Sequence, residues 1–304
     1  MPARSRIMSS MANVLSTPKR VAIVSALVEG VGIRATARMV GVSKDTVMKL
    51  WRELGEACIR YQDEALRDLP CKRLQVDEIW SFVYAKEKNV PAERKGTFGF
   101  GDVWTFTAID AETKLVPSFL VGMRDAGCAT EFLNDLAGRL ASRVQLTSDG
   151  HKMYLSAVED AFGGDIDFAQ LVKIYGAAPE GPEVRYSPAQ CLGTQKTAIT
   201  GCPDPKHVST SYVERANLTM RMSIRRFTRL TNAFSKKLEN HAAALGLFFM
   251  HYNFCRIHQT LRVTPAMAAG VSARVWEVAD LVGLLAVDAT PKKRGPYKKR
   301  GNSK

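Results

Sequence analysis

Long apolar runs, closely spaced cysteines and internal repeats are all missing from this 304-residue chain. The longest apolar stretch, residues 242–250, is less than half of the roughly 20 residues a membrane-spanning helix needs, so no span is expected. The first ten residues carry Arg4 and Arg6 but no apolar segment, which disfavours a secretory leader and points to an intracellular protein; Met8 and Met11 offer later starts. The six cysteines, Cys58, Cys71, Cys128, Cys191, Cys202 and Cys255, contain no CxxC pair, which fits neither a zinc ribbon nor a disulfide framework. Cys191, Cys202 and His207 could supply three zinc ligands, but no fourth stands near them, and free thiols are the expectation. Proline is scarce as well: 13 residues in a chain that is 46% hydrophobic and 24% charged, a composition that buries a core rather than staying disordered. The length exceeds one average domain of roughly 100–200 residues, leaving two modules or one enlarged core.

Charge is abundant and unevenly placed. The net charge is +13, yet residues 1–52, 215–237 and 291–304 each carry +7, and the last two of these segments contain no acid. The remaining 215 residues therefore sum to −8. Basic charge gathered into three segments is the pattern of a surface that meets a polyanion. A membrane surface would attract it too, but none of the segments pairs its charge with an apolar face of Trp and Phe.

Near the N-terminus, Val21, Ile23, Val24, Leu27 and Val28 recur at helical spacing behind Ser16, Thr17 and Pro18. A second short helix spans 33–40 and stops at Gly41; Ser43 then caps a third from Lys44 through Trp51 to about Gly55. Helix, Gly-containing turn, helix is the arrangement of a helix-turn-helix, whose second helix meets base edges with its N-terminal residues. Lys44, Asp45, Thr46, Lys49 and Arg52 are the candidate DNA-binding residues there, and the alternative is a three-helix cap with a solvated basic face. Helical pattern continuing to Leu69 reads as a linker ended by Pro70.

Beyond Pro70 the period changes to that of strands: residues 73–85, 103–110 and 114–122 are β-branched and aromatic, with a hairpin turn at 110–114. A helix over 130–140, a strand over 143–150, a helix over 154–162 and a strand over 168–176 follow, giving an α/β layer with a mixed five-stranded sheet flanked by helices. Three carboxylates stand out. Asp77 lies within an otherwise apolar strand, Asp149 ends the fourth strand, and Glu214 opens a basic helix starting near Ser211. Singly each has an ordinary explanation: a cross-sheet ion pair, a turn with Gly150, and a capping box from Ser211 to Glu214. Jointly they suggest more. With the first and fourth strands adjacent and parallel, the three would converge, and hard divalent cations would relieve their repulsion. Two such ions about 3.5–4 Å apart activate a nucleophile and stabilise a leaving oxygen in phosphodiester transfer. Arg221 and Arg225, at i+7 and i+11 from Glu214, are candidate phosphate contacts on the same helix face.

The segments LQVDEIWSFVYAKEKNV (74–90), LTSDGHKMYL (146–155), STSYVERANLTMRMSIRRFTRLTNAFSKK (209–237) and MHYNFCRIHQTLRVTPAMAAG (250–270) together resemble a bacterial insertion-sequence transposase of the DDE type, most like the insertion-sequence-one family, over residues 12–275. The resemblance implies a ribonuclease H-like fold, dependence on Mg2+ or Mn2+, and cleavage and strand transfer of double-stranded DNA at terminal inverted repeats. It implies a homo-oligomer for synapsis and a place in the bacterial cytoplasm at the nucleoid. The acidic triad, and with it the metal ligands, falls on Asp77, Asp149 and Glu214; Glu78 is a rival for the first position, but alternation sets it on the opposite face of the strand. The Cys-rich finger of some relatives is not present ahead of the helix-turn-helix. His151 and Lys152 could approach a scissile phosphate or lie in a solvated loop, and His258 could contact DNA or serve in packing or capping.

The expected division is a helix-turn-helix unit over 1–60, a helical linker over 61–73, a catalytic domain over 74–275 with an irregular insertion at 176–206, and an extension over 276–304 ending in a disordered basic tail. Two other functions stay open: a DNA-binding regulator without chemistry, and a ribonuclease H-like nuclease that cuts without joining.

Overall fold

The structure, a computed structural model, describes residues 15–176, 190–228 and 232–287. The tail at 291–304 and the first 14 residues lie outside the described residues, as does most of the first half of the expected insertion. Helices α1 (Thr17–Val28), α2 (Ile33–Val40) and α3 (Lys44–Ala65) open the chain. Gly41 ends α2 in the left-handed conformation at φ 68°, and Ser43 caps α3 by accepting from the Thr46 amide at 3.1 Å. The third helix runs 22 residues without a break at Gly55, taking in much of the stretch expected as a helical linker.

Gly55 marks a crossing, not an end. A Cβ there would stand 2.2 Å from the carbonyl oxygen of Ala243 on α7 (Leu238–Met250), and Gly246 of α7 lies as tightly against α3. An isolated helix would gain about 1 kcal/mol from Gly→Ala. Here the neighbour is backbone and cannot yield, so overpacking of about 3 kcal/mol or more outweighs that gain. Gly55→Ala is expected to lower the thermal midpoint by several degrees, and an unchanged or raised midpoint would refute the crossing.

The sheet has six strands, β1 (Arg73–Val83), β2 (Gly101–Asp110), β3 (Phe119–Gly122), β4 (Gln145–Asp149), β5 (Asp167–Tyr175) and β6 (Cys191–Thr200), in the order β3-β2-β1-β4-β5-β6. The expectation of five is corrected by β6, which lies inside the stretch read as irregular and pairs antiparallel with β5. As expected, β1 and β4 are neighbours and parallel. Helices α4 (Ala126–Ala137) and α5 (Met153–Phe162) cover one face, where Leu74, Val76, Phe106, Phe132 and Tyr154 share a core. On the other face α6 (Ser211–Ser223) and α7 bury Val213, Met220, Leu245 and Phe249 against Ile79 and Ile109. Each such large side chain contributes about 1.5–3 kcal/mol on leaving water.

The N-terminal helices share the larger core with the sheet. Gln62 of α3 donates to the Gly246 carbonyl at 3.2 Å and accepts from Asn253 at 3.3 Å, while Asn253 also bonds both backbone groups of Val116. After the short α8 (Pro265–Ala268), residues 276–287, expected as part of an extension, return to this core. Trp276 meets Tyr61 and Phe254 at ring distances of 5.0 and 5.2 Å, and Leu281 and Val282 of α9 (Val278–Val287) are buried. Among the described residues no helix is long and apolar enough to cross a membrane.

Candidate metal centre

The register of β1 on β4 pairs Gln75 with Thr147. Continued by two residues, it sets Asp77 level with Asp149 on strands about 4.8 Å apart. Alternation gives both the face covered by α6, since Leu74, Val76 and Leu146 belong to the α4–α5 side. One carboxylate oxygen from each of Asp77, Glu78 and Asp149 lies within 4.8 Å of the others. Glu78 thus joins the group although its strand position faces α4 and α5. Arg124 holds its Oε1 at 2.6–2.7 Å and the Tyr154 hydroxyl donates to its Oε2 at 2.9 Å.

Asp77 accepts from the Glu78 amide and from Asn217 Nδ2 of α6, each at 2.8 Å. Asn217 was not evident in the sequence; the available signal was its position three residues after Glu214, on the same helix face. Asp149 accepts from the His151 amide at 3.0 Å. His151 Nδ1 accepts in turn from the Met153 amide, and Lys152 is exposed.

Glu214 stands outside the group of three. Lys173 of β5 donates to both of its oxygens at 2.5–2.6 Å, and the Thr210 hydroxyl donates to one at 2.6 Å. The capping-box alternative is corrected: the N-cap is Thr210, one residue earlier, and makes no side-chain cap bond. Gln75 of β1 instead accepts from the Tyr212 and Val213 amides at 2.8 and 3.2 Å, which ties the start of α6 to the strand that carries Asp77.

Burial, then the charges of Glu78, Asp149 and Glu214, push the Asp77 carboxyl from its ordinary 3.8 to about 7, against a lowering by the Glu78 amide. Between those values the folded chain keeps a proton that the unfolded chain has released, so stability falls as pH rises from about 4 to 7 and is level above. In metal-free buffer the stability of Asp77→Asn relative to wild type is expected to grow across this window, by a few kcal/mol at most. Urea denaturation at pH 4.5 and 8 checks it; an equal difference at both would contradict the raised proton affinity. The donors are all hard oxygens crowded with like charge, a set that suits a hard divalent cation better than a soft one.

The other predicted residues are spread out. Lys44, Asp45, Lys49 and Arg52 are exposed on α3; Lys49 and Arg52 pair with Glu53 and Glu56 at 3.8 and 3.7 Å. The Thr46 hydroxyl is 2.9 Å from that of Ser43. Arg221 lies in the last turn of α6, but Arg225 does not continue its face: α6 ends at Ser223, Ile224 is extended, and Arg225 begins a short 3-10 turn. Cys191 opens the ten-residue β6 and Cys202 follows its end, roughly 30 Å of extended chain away, so with His207 they form no ligand group among the described residues. His258 Nδ1 is 2.9 Å from the Thr260 hydroxyl, a local turn contact.

Neither a family model nor a curated protein matches the sequence. Among solved structures the chain is similar to the Mos1 strand transfer complex, at 12% identity and a TM-score of 0.33 over 93% of this chain and 82% of that one. It is similar to the Mos1 mariner paired end complex with Mn, at 10% identity and 0.31 over 94% and 82%. For the piggyBac transposase synaptic complex with hairpin DNA the values are 11% and 0.39 over 98% and 81%.

Proposed function

We propose that this chain is a DDE-type polynucleotidyl transferase, a transposase that binds double-stranded DNA ends, cleaves them and joins them to a target as a homo-oligomer. The observation that carries the reading is the convergence of the Asp77, Glu78 and Asp149 carboxylates within 4.8 Å of one another, from the adjacent parallel strands β1 and β4. The sequence segments resembling insertion-sequence transposases, the insertion-sequence-one family above all, support the same reading. Asp77 and Asp149 would hold Mg2+ or Mn2+, which when bound supplies charge stabilisation for phosphodiester transfer. Asn217 orients Asp77, and Arg124 with Tyr154 fixes Glu78. Glu214 is the third carboxylate of the proposed set and would have to leave Lys173 to help hold the metal.

Duplex recognition falls to the N-terminal end of α3 with Arg221 and Arg225. Lys44→Ala and Lys49→Ala are each expected to reduce the slope of log affinity against log salt by about one, because each variant leaves one DNA phosphate without its cation. An unchanged slope would return them to a solvated face. The test of the function is incubation with duplex DNA carrying the flanking repeats and Mg2+, scored for nicked and for joined products. Nicking without joining would support a nuclease, and binding without either a regulator.

A further inference from the structure

A cleft of about 900 Å3 opens where β1 runs on past the acidic cluster, between that strand and the segment linking α6 to α7. Its described lining holds five Lys or Arg and no Asp or Glu. Five aromatic residues line it: Phe227 is buried, while Trp80, Phe82, Tyr84 and Phe234 are half-buried. Trp80 and Phe82 are 5.8 Å apart and tilted by 37°; Phe82 and Phe234 are 5.0 Å apart and tilted by 38°. Lys236 lies 4.8 Å from the centre of Phe234 and 5.6 Å from that of Tyr84, placing a cation among the rings.

The wall is built in advance. The Tyr84 amide donates to the Ser235 carbonyl at 2.8 Å, Val83 and Ser235 form a bridge, and Arg226 donates to the Ser235 hydroxyl while lying 4.0 Å over Trp51 of α3. Tyr84 is held at φ 69°, a left-handed conformation that a residue with a Cβ adopts at a cost. Glycine would fit this backbone better.

Paired bases hide their faces, and a duplex would use the cations but not the rings. Unpaired bases stack on aromatic side chains while the backbone phosphates meet Lys and Arg. Trp80 follows Glu78 of the acidic group by two residues on the same strand face, about 7 Å along the strand, the rise of about two nucleotides in a duplex strand. We propose that this cleft binds two or three unpaired nucleotides of a DNA strand leaving the acidic site, stacked on Trp80, Tyr84 and Phe234 with phosphates on Lys86 and Lys236. The assignment of a DNA strand rests on the function proposed above.

Full-length protein in EDTA is titrated with fluorescent oligothymidylate and, separately, with duplex. Tyr84→Gly relieves the backbone but loses the ring's contacts with Phe100 and Arg94, so its thermal midpoint is expected to change little while single-strand affinity falls roughly tenfold relative to duplex affinity. Phe234→Ala is expected to act alike, and Lys236→Glu to weaken the single strand with a shallower salt slope. An oligonucleotide carrying 5-iododeoxyuridine should photocrosslink to Trp80, Tyr84 or Phe234. Single-strand affinity within twofold of wild type in both ring variants, or crosslinks only elsewhere, overturns the cleft proposal. Wild-type binding to duplex alone overturns it and spares the transferase reading; binding to neither DNA removes both. Cleft binding confirmed by variants and crosslinks, without metal-dependent cleavage, removes the transferase reading alone.

Discussion

Asp149→Asn is expected to leave duplex binding intact and to reduce metal-dependent strand cleavage by about three orders of magnitude, the rate equivalent of roughly 4 kcal/mol. The amide is nearly the size of the carboxylate and can still accept from the His151 amide, so the turn after β4 survives. What it loses is the negative charge beside Asp77. Asp77→Asn should behave alike and can keep its bond from Asn217. Single-turnover nicking of duplex DNA, with Mn2+ binding followed by calorimetry, measures both losses. Nicking at the wild-type rate by either variant would take that residue out of the site.

Glu214 allows the other large effect. With the capping box gone, the ordinary explanation left is its ion pair with Lys173; the Lys173 and Glu214 side chains are 33% and 40% exposed. At that exposure such a pair contributes no more than about 1 kcal/mol. Glu214→Gln should therefore cost the fold little, keep the bond from Thr210, and still abolish cleavage and joining. Lys173→Met separates the readings further. If Glu214 serves the metal, removing its competing cation should tighten Mn2+ binding; if it serves only the ion pair, Mn2+ affinity will not change. Near-normal strand transfer by the Gln variant would leave the pair with Lys173 as its whole role.

The parallel adjacency that brings Asp77 near Asp149 was legible because three strands, a helix and a fourth strand in that order set β1 beside β4 in an α/β layer. The sixth strand was not. Nearly all of Cys191–Thr200 is exposed at the sheet edge, so no apolar period marks it. Glu78 misled for a different reason: alternation predicts the direction of a Cβ, whereas a Glu side chain carries its charge several bonds further. Arg225 was misplaced because spacing assumes that a helix continues, and Ile224 ends it. Nothing in the sequence showed the use of Gly55, the contact with Ala243, which only tertiary structure reveals.

The unbroken α3 also acts as a ruler. Its 22 residues span about 33 Å, close to ten base pairs or one duplex turn. On the proposed reading, its leading turn grips the DNA while its far end is cemented into the body that holds the carboxylates, with no hinge between them. The interval from the bases recognised to the bond cut is then set by the protein in both distance and phase. Five base pairs inserted into that interval would turn the scissile phosphate to the far side of the duplex, out of the carboxylates' reach.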